Sequence, residues 1–508
     1  HPGSIAGPDP IIAAHERAPD THSHRRGAQE IREMSSTPSA SYDVVVIGSG
    51  PGGYVAAIRA AQLGLRTAIV EKDAKTPGVG LGGTCLHRGC IPTKAMLKSA
   101  TLFDEVRHAS DFGVKTSGVE LDFDVVRKFR DKVVIKGARG VEYLMKKNRV
   151  DVVSGFGRLD GAGRVAVAGP EGESVLETKH VILATGSAPR DLPFLKADGV
   201  KILNSDHVLK STHVPKSVLV IGSGAVGSEF ASCYSRYGAK TVLVEVLPRL
   251  LPVEDEEVSK EVEKSFRKKG IECWTGTAVE AVAENPDGTL KVAARTAAGE
   301  SKSWDVEWVI LAVGRRPVTE GVGLEAAGVA TDRGYVKVDA YQRTNVPGVW
   351  AIGDCTPTIW LAHVASAEGI VAAESIAGHR TVPINRDQVP GCTYCDPEVA
   401  SIGLTEAKAK ERGFDVKVGK FGFQVLAKSA MEHTNEGFVK IVSDRKYDEV
   451  LGVHIVGPHA TELIGQAAAF LRCEATTEEM VRTIHAHPTL TEALHEAAEA
   501  VDGHNIHG

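Results

Sequence analysis

The feature that most constrains the fold is a glycine-rich turn that occurs twice, each time between a short apolar strand and a helix. The two copies contain three glycines each: Gly48, Gly50 and Gly53, then Gly222, Gly224 and Gly227. In both copies a second predicted strand follows the helix and leads into an acid, Glu71 or Glu245, 18 residues after the third glycine. Apolar strands buried on both faces belong to parallel sheets. The duplication therefore predicts an α/β fold with two Rossmann-like units in one chain.

The positions of the glycines predict that each unit binds a dinucleotide. The first glycine allows a tight turn, the second lets the backbone approach a pyrophosphate, and the third lets helix and strand pack closely. The helix N-terminus offers free N–H groups to the phosphates, and Glu71 and Glu245 can accept hydrogen bonds from ribose hydroxyls. A carboxylate at Glu245 repels a 2′-phosphate, which favours NAD over NADP. A glycine-rich turn without a ligand is the structural alternative for each copy.

Length, charge and cysteine content narrow the class of protein. At 508 residues the chain is too long for one core, so we predict several domains. A net charge of −6 and 5% aromatic residues argue against a nucleic-acid partner. We predict no membrane span, and the eight sparse cysteines favour a reducing, cytoplasmic location. Residues 1–40 lack apolar periodicity, and we predict a disordered extension there.

Two cysteines, Cys85 and Cys90, open an apparent helix that runs to about Phe103. A regular helix holds positions i and i+5 roughly 8–9 Å apart at Cα, whereas a disulfide needs about 4.4–6.8 Å. A bond between them requires a distorted first turn, which Gly89 and Pro92 would permit. A strained bond is easily reduced, and a helix N-terminus lowers the pKa of a thiol. From the spacing alone, a redox pair, a structural pair and a metal site all remain open.

From about residue 386 the pattern changes to strands followed by helices, which predicts a separate α+β domain. His487 lies near Glu492, an acid–base arrangement when the acid orients the ring, although a surface histidine is the simpler interpretation. Cys392 and Cys395 form a C-x-x-C without a thioredoxin-like context, so we predict a structural role. The remaining cysteines have apolar neighbours and are predicted to be buried: Cys233, Cys273, Cys355 and Cys473.

Five motifs together resemble the class I pyridine nucleotide–disulfide oxidoreductases, over about residues 41–508. They are G-S-G-P-G-G-Y at 48–54, G-G-T-C-L-H-R-G-C-I-P-T-K at 82–94, G-S-G-A-V-G-S-E at 222–229, A-I-G-D at 351–354 and H-P-T-L-T-E at 487–492. Within this family they are most similar to the branch that oxidises protein-bound dihydrolipoamide to lipoamide with NAD⁺.

The resemblance implies an α/β fold with two dinucleotide-binding (Rossmann-like) domains and a C-terminal α+β dimerisation domain of a homodimer. The implied division is an extension at 1–40, an FAD-binding domain at 41–187, an NAD-binding domain at 188–315, a central domain completing the FAD site at 316–385 and the interface domain at 386–508.

The resemblance also implies a role for each site residue. Cys85 exchanges with the substrate and Cys90 faces the flavin, while His487, oriented by Glu492 and supplied by the other subunit, is the acid–base. The peptide bond before Pro488 is expected to be cis. The implied FAD contacts are Gly48, Gly50, Gly53, Glu71, Lys94, Gly186, Asp354 and Ala362. The implied residues on the NAD side are Gly222, Gly224, Gly227, Glu229, Glu245 and Gly314, with Glu229 paired to Lys94.

The implied partners are the lipoyl domains of 2-oxoacid dehydrogenase or glycine cleavage complexes, and no metal is implied. His87, Arg88 and Thr93 depart from the commonest pattern and leave room for a variant disulfide substrate. Two alternatives stay open. One is a related NAD(P)H-dependent disulfide reductase, similar to glutathione or mercuric reductase. The other is a non-catalytic flavoprotein subunit of a multienzyme complex.

Overall fold

The computed structural model describes residues 41–508, so the extension predicted at 1–40 lies outside the described residues. No helix between 41 and 508 is both long enough and apolar enough to cross a bilayer. Most of the described chain is built around three sheets, and the alternation of strands and helices predicted for the two glycine-rich units is confirmed in the first two.

The first sheet carries the first glycine-rich turn at the end of its central strand. Its four strands in the order β3-β2-β1-β6 are parallel, and β5 and β4 continue the sheet in antiparallel fashion. The elements of this part are β1 (Ser41–Ile47), α1 (Pro51–Gln62), β2 (Thr67–Glu71), α2 (Gly83–Arg88), α3 (Cys90–Arg107), α4 (Phe123–Lys147), β3 (Asp151–Ser154), β4 (Phe156–Leu159), β5 (Arg164–Gly169), β6 (Gly172–Leu183) and β7 (Ser187–Pro189).

The second sheet repeats this plan with five parallel strands in the order β11-β10-β9-β15-β8. A three-stranded antiparallel sheet, β12-β13-β14, is inserted before its last strand. The elements are β8 (Ile202–Asn204), α5 (Ser205–Val208), β9 (Ser217–Ile221), α6 (Ala225–Arg236), β10 (Lys240–Val244), α7 (Glu256–Lys268), β11 (Glu272–Trp274), β12 (Thr277–Glu284), β13 (Leu290–Thr296), β14 (Ser301–Val306), β15 (Trp308–Leu311) and β16 (Arg315–Pro317).

The next stretch returns to the first sheet. Its elements are β17 (Thr331–Asp332), β18 (Tyr335–Val336), β19 (Val349–Ala351) and α8 (Ala362–Ile376). Strand β19 pairs in parallel with β6, and α8 packs along α1. The packing is close because the two helices meet at glycines: a Cβ added to Gly369 would lie 2.7 Å from the Gly52 carbonyl oxygen. The first sheet is therefore completed by residues about 170 positions later in the chain.

The C-terminal part is an antiparallel five-stranded sheet, β20-β21-β24-β23-β22, with helices on it, as predicted for an α+β domain. Its core is a cluster of apolar side chains from β21–β24, α11 and α13. The elements are β20 (Gly391–Thr393), β21 (Glu398–Gly403), α9 (Glu406–Glu411), β22 (Val416–Gly422), α10 (Ala427–Glu432), β23 (Phe438–Asp444), β24 (Val450–Gly457), α11 (Ala460–Arg472), α12 (Thr477–Arg482) and α13 (Glu492–Glu499).

The second glycine-rich turn leads directly into α6 at Ala225, so Gly227 lies within the first turn of that helix. One helix prediction needed correction. The apparent helix from Cys85 to Phe103 is two helices, α2 and α3, which meet at Gly89. The distorted turn that a bond between the two cysteines requires is therefore present.

Candidate active site

The first glycine-rich turn has the shape of a phosphate cradle. Gly48 has φ +104°, and a Cβ added to Gly53 would lie 1.9 Å from the Gly48 carbonyl oxygen, so both positions require glycine. A Cβ on Gly50 would meet nothing within 4 Å, because this glycine faces open space at the N-terminus of α1. Free N–H groups with the positive end of a helix dipole lie behind it, which suits a pyrophosphate.

A serine links this turn to the acid and to the cysteine segment. The Ser49 backbone N–H and hydroxyl donate to Glu71 Oε2 at 2.9 and 2.7 Å, and the hydroxyl accepts from the Gly82 N–H at 3.1 Å. Gly83 packs against the turn so closely that an added Cβ would lie 2.6 Å from the Gly50 Cα. The glycine pattern alone does not identify Ser49 as a functional residue. The recurrence of serine at the same position of the second copy, Ser223, is the sequence feature that points to it.

The second turn repeats the geometry. Gly222 has φ +96°, and a Cβ on Gly227 would lie 1.8 Å from the Gly222 carbonyl oxygen, while Gly224 is open. Ser223 donates twice to Glu245 Oε2, at 2.7 Å from its N–H and 2.8 Å from its hydroxyl. The nearest arginine along the chain, Arg249, donates to the Pro252 carbonyl and so does not balance the Glu245 charge.

The structure brings Cys85 and Cys90 together at the junction of α2 and α3, close enough for each thiol to shift the pKa of the other. Gly89 makes this approach feasible, because an added Cβ would lie 3.1 Å from the Thr84 carbonyl oxygen and 3.4 Å from the Cys85 Cα. Cys90 is the first residue of the 18-residue helix α3, where a thiolate is favoured by the helix dipole.

The two thiols have opposite acidities. Interaction with the Cys85 thiol lowers the pKa of Cys90; burial opposes this shift and the Lys94 charge aids it. The same interaction, followed by burial, raises the pKa of Cys85. The reduced pair therefore holds its negative charge on Cys90.

Lys94 lies one turn after Cys90 on α3, and its ammonium group is bound by Glu229 at 2.8 Å from each carboxylate oxygen. Glu229 lies on α6 of the second unit, and its side chain is 5% exposed. The predicted pairing of these two residues is thus present in the structure, 135 positions apart in the chain. It joins the cysteine helix to the second glycine-rich helix.

Asp354 is held in a polar chain that the sequence did not reveal. Ser187 donates its hydroxyl to Asp354 Oδ2 at 2.5 Å, and Arg315 Nε donates to the same hydroxyl at 2.7 Å. The preceding residue, Gly353, donates its N–H to the buried Glu368 at 2.7 Å. Arg315 and Ser187 each follow a strand end, which is where ligand-contacting residues of α/β sheets lie, and this was the usable signal.

The backbone is also accessible at the other three residues predicted to contact a cofactor, Gly186, Gly314 and Ala362. Gly186 and Gly314 follow the ends of β6 and β15, have φ +73° and +102°, and would have nothing within 4 Å of an added Cβ. Ala362 is the first residue of α8, a 15-residue helix whose N-terminus has no side-chain cap. Its first N–H groups are therefore available to a ligand.

His487 and Glu492 form the predicted pair at the C-terminal end of the chain. His487 Nδ1 lies 2.8 Å from Glu492 Oε2, and the Thr489 N–H donates to the other carboxylate oxygen at 2.6 Å. Although burial opposes it, these hydrogen bonds lower the pKa of Glu492. The bond before Pro488 is cis, as predicted. The His487 side chain is 72% exposed, so within this chain it faces outward.

The remaining cysteines lie away from this chemistry, with one correction. Cys233, Cys273 and Cys355 are buried as predicted, but Cys473 is exposed because it follows the last turn of α11 on its outer side. Cys392 and Cys395 are not bonded to each other. Cys395 is buried in the core and its thiol donates to the Pro397 carbonyl, which agrees with a structural role.

Comparison with known proteins identifies the family. The model of the pyridine nucleotide-disulphide oxidoreductases matches residues 42–369, and that of their dimerisation domain matches residues 389–498. The chain belongs to the pyridine nucleotide-disulphide oxidoreductase family. Its fold class, with a C-terminal dimerisation domain, and the FAD and NAD(H) dependence of the family follow from this membership.

Two curated relatives and one solved structure indicate the branch of the family. The chain is 45% identical to a dihydrolipoyl dehydrogenase of Bacillus subtilis, covering 92% of this chain and 100% of that one. It is 44% identical to the Zymomonas mobilis dihydrolipoyl dehydrogenase, covering 92% and 99%. Among solved structures, LpdA of Mycobacterium tuberculosis superposes with a TM-score of 0.82 at 28% identity, covering 90% of this chain and 99% of that one.

Proposed function

We propose that this chain is a dihydrolipoyl dehydrogenase, which oxidises protein-bound dihydrolipoamide to lipoamide with NAD⁺ through the Cys85–Cys90 pair. FAD occupies the first unit, 41–187 completed by 316–385, and NAD the second, 188–315. Residues 386–508 form the interface of a homodimer. The relatives named above support the activity. The open glycines beside uncapped helix N-termini support both cofactor sites.

The observation that carries the proposal is the position of Cys85 and Cys90 on either side of the break between α2 and α3, with Cys90 at the start of α3 and Lys94 one turn further on. One thiol of a cycling disulfide must leave readily as a thiolate, and a low pKa makes a good leaving group. Cys90 meets this requirement because it begins α3 and lies near Lys94. Cys85 is then the sulfur that a substrate thiolate attacks.

The residues act in sequence on the substrate. His487 of the partner subunit takes a proton from dihydrolipoamide, and the resulting thiolate attacks Cys85 Sγ of the disulfide while Cys90 leaves as a thiolate. The second substrate thiol then attacks the substrate sulfur of the mixed disulfide, which releases lipoamide. Cys85 leaves and takes the proton held by His487, and the proton of the second substrate thiol passes to the freed imidazole. The substrate loses two electrons and the cysteine pair gains them. Bound FAD supplies the two-electron chemistry that restores the disulfide and reduces NAD⁺.

Glu492 and Glu245 act by orienting or selecting other groups and take no direct part in the reaction. Glu492 accepts from His487 Nδ1, which leaves Nε2 as the ring nitrogen that exchanges the proton. Glu245, held by two hydrogen bonds from Ser223, places a carboxylate where a 2′-phosphate of NADP would lie. We further propose the cytoplasm as the location, and lipoyl domains of 2-oxoacid dehydrogenase or glycine cleavage complexes as the partners.

Replacing Cys90 tests the function. In Cys90→Ser, NAD⁺ reduction by dihydrolipoamide should fall to background, because the disulfide can no longer form, while the bound FAD is retained. Cys473→Ser is the matched control, since this thiol is exposed outside the site, and it should keep the parental rate. Turnover that persists in Cys90→Ser contradicts the mechanism. If the wild-type chain prefers NADPH and another disulfide, dihydrolipoamide is not the substrate.

A further inference from the structure

Tyr394 of the C-x-x-C segment contacts the Lys94–Glu229 pair. The Lys94 Nζ lies 4.6 Å from the centroid of the Tyr394 ring, over its face. The Tyr394 N–H donates to Glu229 Oε1 at 3.1 Å, so the same residue contacts both members of the ion pair. A cation over an aromatic face is attracted by the ring quadrupole, most strongly where water is partly excluded.

The segment that carries Tyr394 is anchored to the second unit through Asp396. Two residues further along, the Asp396 N–H donates to the Ser232 hydroxyl at 3.1 Å, and its carboxylate lies 2.7 Å from Arg236 and 2.7 Å from Lys269. Burial, followed by the neighbouring Cys392 thiol and nearby carboxylates, raises the pKa of Tyr394 to about 12. The phenol is therefore neutral under working conditions.

From this arrangement we propose that Tyr394 is a positioning residue: its ring fixes the Lys94 ammonium and thereby sets the stability of the Cys90 thiolate. The inference deepens the proposed function, because it rests on Cys90 being the thiol next to the flavin. It also assigns the C-x-x-C segment of the C-terminal domain a role in the redox site. Tyr394 has this role, and Cys392 and Cys395 do not.

The charges around Cys90 allow the sign to be derived. The groups that act on it are the Cys85 thiol on α2, Lys94 on its own helix, Glu229 on α6 and Arg315 after β15. Lys94 stabilises the thiolate and Glu229 opposes it. Without the ring, the flexible lysine side chain keeps only Glu229 as a partner and samples positions further from Cys90. The thiolate then loses stabilisation, and a higher pH is needed to form it.

The test uses holoenzyme in a Cys85→Ser background, which leaves Cys90 as the only thiol of the pair beside the flavin. The long-wavelength absorbance of a thiolate against oxidised flavin is titrated against pH. Tyr394→Leu should move the midpoint to higher pH by about 0.5, the size that a partly desolvated cation–π contact supports. Tyr394→Phe keeps the ring and should keep the parental midpoint, and Tyr394→Met serves as a second ring-free variant if the leucine variant folds poorly.

A Lys94→Met background completes the cycle. There Tyr394→Leu should no longer move the midpoint, because the ring acts through the ammonium group. Equal midpoints for the ring-free variants and the parent overturn the inference, as does a shift that persists without Lys94. A missing long-wavelength band in the Cys85→Ser parent instead contradicts the proposed function, so the two failures are distinguishable.

Discussion

At the residue scale, the proposed acid–base group depends on a single carboxylate. Glu492 fixes His487 through one oxygen and the Thr489 backbone through the other, so the ring and the turn that carries it are held together. The motif H-P-T-L-T-E places both residues within six positions, but the motif alone favoured a surface histidine, and the acid–base role came from the family resemblance. The motif does not determine whether His487 acts in the site of its own chain or in that of the partner, since this depends on how the dimer assembles.

Removing the Glu492 charge should slow the reaction more than it weakens binding. In Glu492→Gln, we expect kcat for dihydrolipoamide oxidation to fall by about 100-fold with a smaller change in KM, because an unoriented base transfers protons poorly. Stopped-flow or steady-state rates measure this. Glu499→Gln is the control, since Glu499 also lies near a histidine of the same helix, His495 at 3.9 Å, but outside the site. Equal rates in both variants would argue against the pair.

At the element scale, the two glycine-rich units were predictable because each is a local device. Strand, turn, helix and second strand lie within about 30 positions, and the glycines are required by contacts inside that stretch. The break between α2 and α3 was predicted as a distortion but not as a separate helix. The inserted sheet β12-β13-β14, with strands of 8, 7 and 6 residues, was not predicted, because these partly exposed strands contain few large apolar side chains.

Alanine substitutions of the second and third glycines of a turn should have different effects. Gly53→Ala should destabilise the apoprotein, because the new Cβ would lie 1.9 Å from a carbonyl oxygen. Gly50→Ala should leave the apoprotein stable but release FAD, since only a ligand fills the space there. Thermal unfolding of apoprotein and flavin absorbance of the purified chain separate the two effects.

The matching change in the second unit tests the assignment of the cofactors. Gly224→Ala should raise KM for NAD⁺ by about 10-fold or more and leave the FAD content unchanged, because a methyl group there occupies the space of the pyrophosphate. The flavin content and the NAD⁺ saturation curve are measured on one sample. Loss of FAD in this variant would reverse the assignment of the two units.

At the scale of the whole molecule, a buried lysine joins the second unit to the C-terminal sheet. Lys440 on β23 is 2% exposed, and its ammonium group lies 3.1 Å from Asp255, 2.8 Å from Glu257 and 2.8 Å from Glu406. Asp255 also caps α7 by accepting from the Glu257 N–H. Hydrogen bonds from Lys410 and Lys440 lower the pKa of Glu406 to about 2.

Removing this cation should destabilise the protein strongly. Lys440→Met leaves the buried Asp255 carboxylate without its cation, while Glu257 and Glu406 keep Lys420 and Lys410, and we expect unfolding to become easier by about 3 kcal/mol. Lys420→Met is the control, because Lys420 binds the same Glu257 from a half-exposed position, which is worth less than about 1 kcal/mol. Because the folded-state pKa of Glu406 is depressed, its contribution is present above the unfolded pKa and is lost as the pH falls towards 2. Denaturation curves against pH should show less of this acid loss in Lys440→Met.

The dimer can be tested by complementation. A Cys90→Ser chain and a His487→Ala chain are each inactive as homodimers, but a mixed dimer contains one site with both residues intact if His487 acts in the partner's site. Refolding the two variants together should restore about a quarter of the wild-type rate, because half of the dimers are mixed and each has one good site. No recovery would place His487 in the site of its own chain.

The sequence by itself determined the two nucleotide-binding units, the cysteine pair at the helix start and the histidine–glutamate pair. Each of these depends on residues close together in the chain, where turn geometry and helix termini dictate the structure. Only the tertiary structure decided the contact of Lys94 with Tyr394 and the chain from Arg315 through Ser187 to Asp354, and it supplied the geometry of the Lys94–Glu229 pair that the family resemblance implied. The residues of each contact are more than 100 positions apart in the sequence, although Ser187 and Arg315 lie on the paired strands β7 and β16. Their distances follow from how whole layers pack, which no local pattern encodes.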